Sequence, residues 1–535
     1  MEYVIAYDFG TTGVKSCLFA IEGRVKLLGS AYRGYELYIL PGGGAEEDAE
    51  EWWRAMCETT NELLEKTKLT PDKVSGISFC SQMQGLVLVD KDGNALRRPM
   101  SYMDQRAAKQ MHDTQTKGLT VSGVNAGMLI KSLTATRAAS TSVKDPLWKY
   151  KWVQSCEPEI FAKVYKWLDV KEYLICRCTG EFVMTRDSAY STFLYDTRRG
   201  REGWSEELCK MYGVNMEHLP RVIECTDIAG KLTEKAAHEL GLAPGTPVYG
   251  GGGDATLIGL GAGCCEVGDT HVYSGTSGWV ETVTDTQIVD IVSMIAAIIG
   301  PEKGKYNYFA EMETAGKCFE WVKDHLVLDE VNVYLKKEHV AESREAQYES
   351  LYDYMSDTVE KVEPGCGGVI FTPWLHGNRC PFEAPDAAGM FFNIKLETGK
   401  AELIRAVLEG ICFHLRWMLE CQEKKLKTGR TLRFVGGGAL SSVTCQMLAD
   451  ITGRRVETVE NTKDVGAIGA ALLVAAGSGV ISSLSEVKRL VPVKASYLPN
   501  PDLKPIYDRN YAVFKELYNS NKRHFAKLNK LSEGA

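Results

Sequence analysis

A four-residue turn sequence occurs twice in this chain, once near the start and once near the middle. Gly-Thr-Thr-Gly in "AYDFGTTGV" (residues 6–14) aligns with Gly-Thr-Ser-Gly in "VYSGTSGWV" (residues 272–280). Apolar runs typical of β-strands flank both copies, and each copy is followed by a further strand and then a helix. The repetition indicates two copies of one β-β-β-α unit and predicts an α/β fold with two related domains.

The first copy of the unit is predicted to begin with three strands, at residues 3–7, 14–19 and 25–35. A helix over residues 46–69 follows, because "WWRAMCETTNELLEK" has apolar residues at helical spacing. Residues 74–80 are continuously apolar, which is typical of a buried strand in a parallel sheet.

The second copy is predicted to have strands at residues 270–273 and 279–283, one long strand over residues 288–299, and another at "YNYFAEM". A helix starting at "GKCFEWV" comes next. Pro and Gly punctuate "LAPGTPVYG", so we predict an N-terminal domain at residues 1–247 and a C-terminal domain at 248–535. The first domain contains a mostly helical insert at about 105–240, and the second ends in a helical tail with an apolar packing face.

Charge and cysteine usage exclude several classes of protein. A net charge of −8 and a pI near 5.8 argue against a nucleic-acid partner, because phosphate contacts require a basic face. The sixteen cysteines include no Cys-x-x-Cys pair and indicate reduced thiols. No signal peptide is apparent, and "IVDIVSMIAAIIG" is too short to span a bilayer. We expect a cytoplasmic protein without a membrane partner.

The repeated turns offer backbone N–H groups and hydroxyls of the kind that bind phosphate oxygens. Two of them facing each other across a cleft would hold a polyphosphate from both sides. Asp8 precedes only the first turn, and a single Mg²⁺ needs one anchoring carboxylate; Lys15 follows that turn and would neutralise phosphate charge. Each turn taken alone is equally typical of an ordinary glycine-rich hairpin. P-loop and Rossmann signatures are absent from the sequence.

Two further glycine clusters precede helices. In "VYGGGGDATLIGLGAG" four glycines lead to Asp254, where they would allow a ligand close to the backbone. An acidic residue at this position is also an ordinary helix cap, but an Asp that accepts the proton of an attacking hydroxyl recurs in phosphoryl transfer. The second cluster, "FVGGGALSS" (residues 434–442), would pack against a purine face.

In this order and over nearly the whole chain, these segments resemble the FGGY carbohydrate kinases, most closely their xylulokinase-like branch. The resemblance implies two ribonuclease-H-like domains of the actin/hexokinase type that close over ATP and a sugar. It implies that Asp254 is the catalytic base and that Asp8 lies near Mg²⁺. The implied ATP-binding residues are Thr11, Thr12, Lys15, Gly275, Thr276, Ser277, Gly437, Gly438, Ala439 and Ser441.

The resemblance also implies which residues line the sugar pocket. "SQMQGLVLVD" stands where xylulokinases have Gln-Met-His-Gly, and "SYMDQRA" resembles a Trp-Asn-Asp-x-Arg segment. Met83, Gln84, Asp104 and Asp254 are therefore expected to contact the substrate. "FTPWLHGNRCPFEAPDAAGMFF" resembles the long closing loop of the family.

The departures from the family pattern concern the substrate. Gln84 replaces a His, Ala255 replaces an Asn, and Tyr102 and Met103 replace Trp and Asn. A pocket that binds particular hydroxyls discriminates by its polar partners, so D-xylulose is the first expectation and another pentulose or a polyol stays open. An ATP-dependent switch of the actin or heat-shock-chaperone type and a sugar sensor without catalysis are the alternatives outside the kinases. A homodimer is expected only by analogy with the family.

Overall fold

A computed structural model of the chain describes residues 2–121, 123–327 and 351–529. Its first sheet has seven strands, in which the predicted three-stranded meander lies at one edge. In spatial order six of its strands are Ile228–Lys231, Pro247–Tyr249, Val74–Ser81, Glu2–Phe9, Gly13–Ile21 and Val25–Gly34. The seventh, Gly252–Gly253, is parallel to Val74–Ser81 and pairs with it on the same side as Pro247–Tyr249.

The central strand of the first sheet, Glu2–Phe9, carries the first turn at its carboxyl end. It is antiparallel to Gly13–Ile21, with Asp8 opposite Lys15, and parallel to Val74–Ser81. The strands predicted in this half are therefore confirmed. The register places Asp8 and the residues after Ser81 at the same edge of the sheet, because parallel strands end together.

The second sheet has eight strands and repeats this connectivity. In spatial order it contains Val289–Asp290, Ile295–Ile299, Tyr306–Met312, Gly278–Thr284, Thr270–Ser274, Thr431–Val435, Arg455–Val459 and Val493–Tyr497. Thr270–Ser274 is antiparallel to Gly278–Thr284 and parallel to Thr431–Val435, as Glu2–Phe9 is to its own neighbours. The predicted duplication of the β-β-β-α unit is confirmed.

One strand prediction is wrong. Residues 288–299 form two antiparallel strands, Val289–Asp290 and Ile295–Ile299, instead of one long strand. The Asp290 carboxylate accepts hydrogen bonds from the backbone N–H groups of Val292 and Ser293, at 3.1 and 3.2 Å. An Asp that bonds the backbone two and three residues onward stabilises a turn, and here it folds an apolar run into a hairpin.

Helices occur in the insert, after the strands of each β-β-β-α unit and in the C-terminal tail, as predicted. They are Ala49–Thr67, Ala108–Gln115, Ala126–Thr136, Pro146–Cys156, Pro158–Phe161, Val170–Thr179, Arg186–Ser191, Glu206–Tyr212, Glu234–Leu240, Asp254–Gly261, Gly316–Val322, Leu351–Glu360, Lys400–Glu423, Ser442–Thr452, Val465–Gly477, Val487–Leu490 and Lys504–Asn529. The last helix buries Tyr507, Tyr511 and Phe514, which confirms its predicted packing face. Within the described ranges, no helix has the length and apolarity needed to cross a membrane.

Two helices rich in small residues, Asp254–Gly261 and Val465–Gly477, pack against each other. A Cβ atom at Gly261 would lie 1.8 Å from the carbonyl oxygen of Val465, so the two backbones are in direct contact. Val465–Gly477 also packs on the strands Glu2–Phe9 and Val74–Ser81 of the first sheet. A late segment of the chain therefore supports the helix that begins with Asp254. The boundary predicted between residues 247 and 248 falls inside Pro247–Tyr249 of the first sheet and stays a prediction.

Candidate active site

The tetraglycine segment delivers Asp254 to the start of a helix at the edge of the first sheet. Gly251 has φ +68°, and a Cβ atom there would lie 2.2 Å from the carbonyl oxygen of Phe79. Only glycine tolerates both the left-handed backbone and this contact. The glycines thus let the chain pass close to the central strands before the helix Asp254–Gly261 begins.

A buried ion-pair network holds the backbone just before Asp254. Asp187 accepts a hydrogen bond from the N–H of Gly253 at 2.8 Å. Its carboxylate lies 4.0 Å from the ammonium of Lys171, which is also 2.5 Å from Glu172. All three side chains are almost completely buried. The network fixes the position of Asp254, and no sequence motif pointed to it.

The carboxyl group of Asp254 is poised to exchange a proton near neutral pH. Burial raises its pKa to about 7, although a hydrogen bond from the Ala255 N–H opposes this shift; the nearby carboxylates of Asp8 and Glu311 raise it further. A general base works best when its pKa is close to the pH at which it operates.

Met83 packs against the segment that carries Asp254, and Gln84 follows it in the chain; that both line the sugar pocket stays a prediction. A Cβ atom at Gly253 would lie only 2.1 Å from the Met83 sulfur, so Met83 packs directly on this backbone. Gln84 has φ +65°, donates its N–H to Asp169 at 2.9 Å, and accepts from Lys149 Nζ at 2.7 Å through its carbonyl. Both sides of the Gln84 peptide are thereby fixed.

Asp104 is fully buried and its carboxylate is already occupied by protein groups. It accepts hydrogen bonds from the N–H of Ala45 at 2.9 Å and from Arg106 Nη2 at 2.7 Å. The Arg106 guanidinium in turn stacks over the ring of Trp152, 4.4 Å from its centroid. These contacts order the pocket wall, and a direct contact of Asp104 with substrate stays a prediction.

The first turn is closed by a hydrogen bond from the N–H of Gly10 to the carbonyl of Gly13 at 3.0 Å. Thr12 is exposed, and Thr11 donates from its hydroxyl to that of Tyr102 at 3.4 Å. The turn therefore presents hydroxyl and amide groups to the cleft.

Lys15 has a partner that the sequence did not reveal. Its ammonium lies 2.9 Å from the Asp464 carboxylate and donates to the carbonyl of Lys463 at 2.8 Å. Burial raises the pKa of Asp8, which lies opposite Lys15, while the positive charge of Lys15 lowers it. Lys15 therefore links the first turn to the later half of the chain.

The second turn is closed more tightly than the first, by the Gly275 N–H donating to the carbonyl of Ser277, two residues on, at 3.0 Å. The Gly275 carbonyl accepts a hydrogen bond from the N–H of Gly316 at 2.8 Å, so the helix Gly316–Val322 begins against this turn. The sequence had not indicated this contact. Tyr273 occupies the position equivalent to Asp8 and stacks on Trp279, with ring centroids 4.0 Å apart. Aromatic packing replaces the carboxylate in the second copy. The exposed Thr276 hydroxyl is free to face a ligand.

The third glycine cluster follows the strand Thr431–Val435, whose Val435 lies beside Tyr273 in the second sheet. Ser441 begins the next helix by accepting from the N–H of Thr444 at 3.3 Å. The structure therefore gathers the predicted ATP residues Gly437, Gly438, Ala439 and Ser441 near the strand that leads into the second turn. Asp8, Met83 and Asp254 lie at the corresponding edge of the first sheet, with Gln84 next to Met83. Asp104 is held by the N–H of Ala45, which belongs to a separate two-stranded sheet.

Comparisons with known proteins agree with this architecture. The "FGGY family of carbohydrate kinases, N-terminal domain" matches residues 3–261, and the C-terminal domain of the same family matches residues 271–478. The xylulose kinase of Bacillus subtilis (strain 168) is 28% identical over 524 residues, which cover 98% of either chain. The gluconokinase of the same organism is 27% identical over 521 residues, 96% of this chain and 95% of that one.

Among solved structures, a ligand-bound xylulose kinase from Lactobacillus acidophilus superposes with a TM-score of 0.85 and 25% identity, covering 99% of this chain and 100% of that one. The predicted fold, two ribonuclease-H-like domains with a cleft between them, is confirmed, as is the xylulokinase-like resemblance. The chain is a sugar kinase and belongs to the FGGY family of carbohydrate kinases.

Proposed function

We propose that the protein transfers the γ-phosphoryl group of ATP to a primary hydroxyl of a small ketose or polyol, with D-xylulose as the first candidate and Asp254 as the general base. The observation that carries the proposal is the half-buried carboxyl group of Asp254, with a pKa of about 7, at a helix start whose preceding residue, Gly253, packs against Met83. Xylulose kinases among the relatives support the first candidate, and gluconokinases make D-gluconate its main competitor.

In this mechanism Asp254 accepts the proton of the sugar hydroxyl as the hydroxyl oxygen attacks the γ-phosphorus. The first turn, with Thr11, Thr12 and Lys15, and the second turn, with Gly275, Thr276 and Ser277, hold the phosphates through amide and hydroxyl donors. Closure of the cleft excludes water, which would otherwise compete as the nucleophile. The segment from Gly437 to Ser441 contacts the adenosine.

Asp8 is the residue that would hold Mg²⁺. Its half-buried carboxylate ends a central strand beside the first turn, and no cluster of three acidic, His or Cys ligands occurs among the described residues. This fits Mg²⁺, which usually takes one or two carboxylates together with waters and substrate phosphates. When bound, the ion neutralises charge on the transferring phosphoryl group.

A substrate panel tests the proposed activity. ADP release from Mg-ATP is measured with D-xylulose, L-xylulose, D-ribulose, L-ribulose, L-fuculose, glycerol, erythritol and D-gluconate. We expect one neutral ketose or polyol to exceed the sugar-free rate by at least about 10²-fold, because productive orientation of an acceptor greatly accelerates transfer. ATP hydrolysis that is equally fast without sugar would favour a non-sugar ATPase switch, and sugar binding without turnover would favour a sensor.

The activity is expected to depend on pH through Asp254. The base acts as a carboxylate, so its protonation below a pKa of about 7 removes the active form. We expect kcat/KM for the sugar to fall about tenfold per pH unit on the acid side, measured at saturating Mg-ATP from pH 5.5 to 9. The residual rate of Asp254→Asn serves as the control and should lack this limb. A wild-type profile that is flat between pH 6 and 8 would contradict the assignment.

Three further expectations remain proposals. The domain limits 1–247 and 248–535 rest on Pro and Gly punctuation, a cytoplasmic location rests on cysteine usage, and a homodimer rests on analogy with the family. Light scattering of the purified chain measures the oligomeric state directly.

A further inference from the structure

Glu47 and Gln82 form a buried polar pair with two unused hydrogen-bonding atoms. Glu47 ends the strand Gly44–Glu47 and is 1% exposed, while Gln82 is 6% exposed. Glu47 Oε2 accepts from Gln82 Nε2 at 2.7 Å. In the described part of the chain, the Oε1 atoms of both residues have no hydrogen-bond partner. Buried polar atoms are nearly always paired, so two unpaired ones side by side indicate a ligand.

The pair lies close to the segment that carries Asp254. Gln82 directly precedes Met83, whose sulfur packs on Gly253. Burial raises the pKa of the Tyr102 phenol, a hydrogen bond with Thr11 opposes this shift, and the charges of Asp254, Glu311 and Glu47 raise the pKa further. Glu47 and the proposed base therefore both lie near Tyr102.

The pair offers one donor and one acceptor at neutral pH. Burial raises the pKa of Glu47 to about 8, with the hydrogen bond from Gln82 and the charge of Lys149 opposing the shift and the charge of Asp169 adding to it. Protonated Glu47 presents an O–H group, and Gln82 Oε1 presents a lone pair. An alcohol is both donor and acceptor and complements this pair, whereas a carboxylate has acceptors only.

Three cations in this region are already engaged with protein groups. Lys149 donates to the Gln84 carbonyl at 2.7 Å, the Arg106 guanidinium lies 2.7 Å from Asp104, and Arg379 lies 2.7 Å from Glu311. Lys144, which influences the pKa of both Lys149 and Glu311, has no ion pair among the described residues. Because no ion pair of the described residues depends on it, Lys144 is a suitable position for a control substitution.

We propose that Glu47 and Gln82 together bind one hydroxyl group of the acceptor sugar. The inference rests on the proposed function and adds to it two residues that hold the acceptor. Glu47 acts by binding and positioning the acceptor, and Asp254 alone exchanges the proton.

Steady-state kinetics of wild type, Glu47→Ala, Glu47→Gln and Lys144→Ala test this inference with the same panel. Glu47→Ala is expected to raise the KM for the best substrate of the panel about tenfold or more and to leave the KM for ATP within about twofold. Glu47→Gln, whose amide keeps a donor beside Gln82, should restore the KM to within about threefold of wild type.

Lys144→Ala is the matched control and is expected to change neither KM by more than about twofold. An unchanged sugar KM in a folded Glu47→Ala protein overturns the inference while the kinase stands. If wild type phosphorylates no member of the panel, the proposed function itself fails. Shifts in the midpoint of thermal unfolding with each sugar then report binding. If a neutral sugar raises the midpoint of wild type but not of Glu47→Ala, the inferred role of Glu47 and Gln82 is supported. If no sugar raises the midpoint of wild type, the inference is overturned.

Discussion

Replacement of Asp254 by alanine or asparagine is expected to lower sugar phosphorylation by at least about 10³-fold. The residue begins its helix beside the sugar-pocket segment, and burial raises its pKa to about 7, so it is suited to accept a proton. Asparagine preserves the shape and the hydrogen bond from the Ala255 N–H but cannot accept the proton. Coupled measurement of ADP release, with the best substrate of the panel, gives kcat and KM for each variant.

Binding of ATP should change little in these variants, because the two turns and the third glycine cluster supply the proposed nucleotide contacts. Calorimetric titration with Mg-ATP separates this binding from chemistry. Asp502→Ala is the matched control, since Asp502 is exposed at the start of the C-terminal helix and should leave turnover unchanged. Near-normal turnover by a folded Asp254→Asn protein would refute the assignment of the base.

Gly261→Ala is expected to destabilise the protein by about 3 kcal/mol. Its new methyl group would lie 1.8 Å from the carbonyl oxygen of Val465, and backbone atoms cannot move aside as a flexible side chain can. The helix Asp254–Gly261 would have to shift away from Val465–Gly477, so the midpoint of thermal unfolding of this 535-residue chain should fall by about 3 °C. Scanning calorimetry measures the shift, and kcat should fall as well because Asp254 begins the displaced helix.

Gly127→Ala provides the comparison for this substitution. Gly127 is exposed in the helix Ala126–Thr136, where alanine is the better helix former, so the unfolding midpoint should stay unchanged or rise slightly. An unaltered midpoint for Gly261→Ala would show that the two helices are not packed backbone to backbone in solution.

Local sequence was sufficient to predict the elements whose conformation depends on nearby residues. The two turns were recognisable because Gly and Thr recur at fixed positions between strand-like runs, and the duplicated sheet followed from the order of strands after each turn. Asp254 was recognisable because the four preceding glycines allow a backbone that other residues cannot adopt. The hairpin at Asp290 was missed, because a single Asp turned an apolar run that otherwise has the pattern of one strand.

The contacts that join distant segments required the tertiary structure. Lys15 and Asp464 are 449 positions apart in the numbering yet form an ion pair, and Asp187 supports Gly253 from a part of the insert that has no motif. The unused oxygens of Glu47 and Gln82 are likewise visible only once burial and hydrogen-bond partners are known.

The sequence by itself determined the duplicated α/β architecture, the two glycine-threonine turns and the candidate base, because backbone conformation and strand order are encoded in neighbouring residues. Only the tertiary structure decided which polar side chains are already satisfied and which are left to meet a ligand. That distinction depends on the free energy of burying each polar group, which is set by residues brought together from the whole chain.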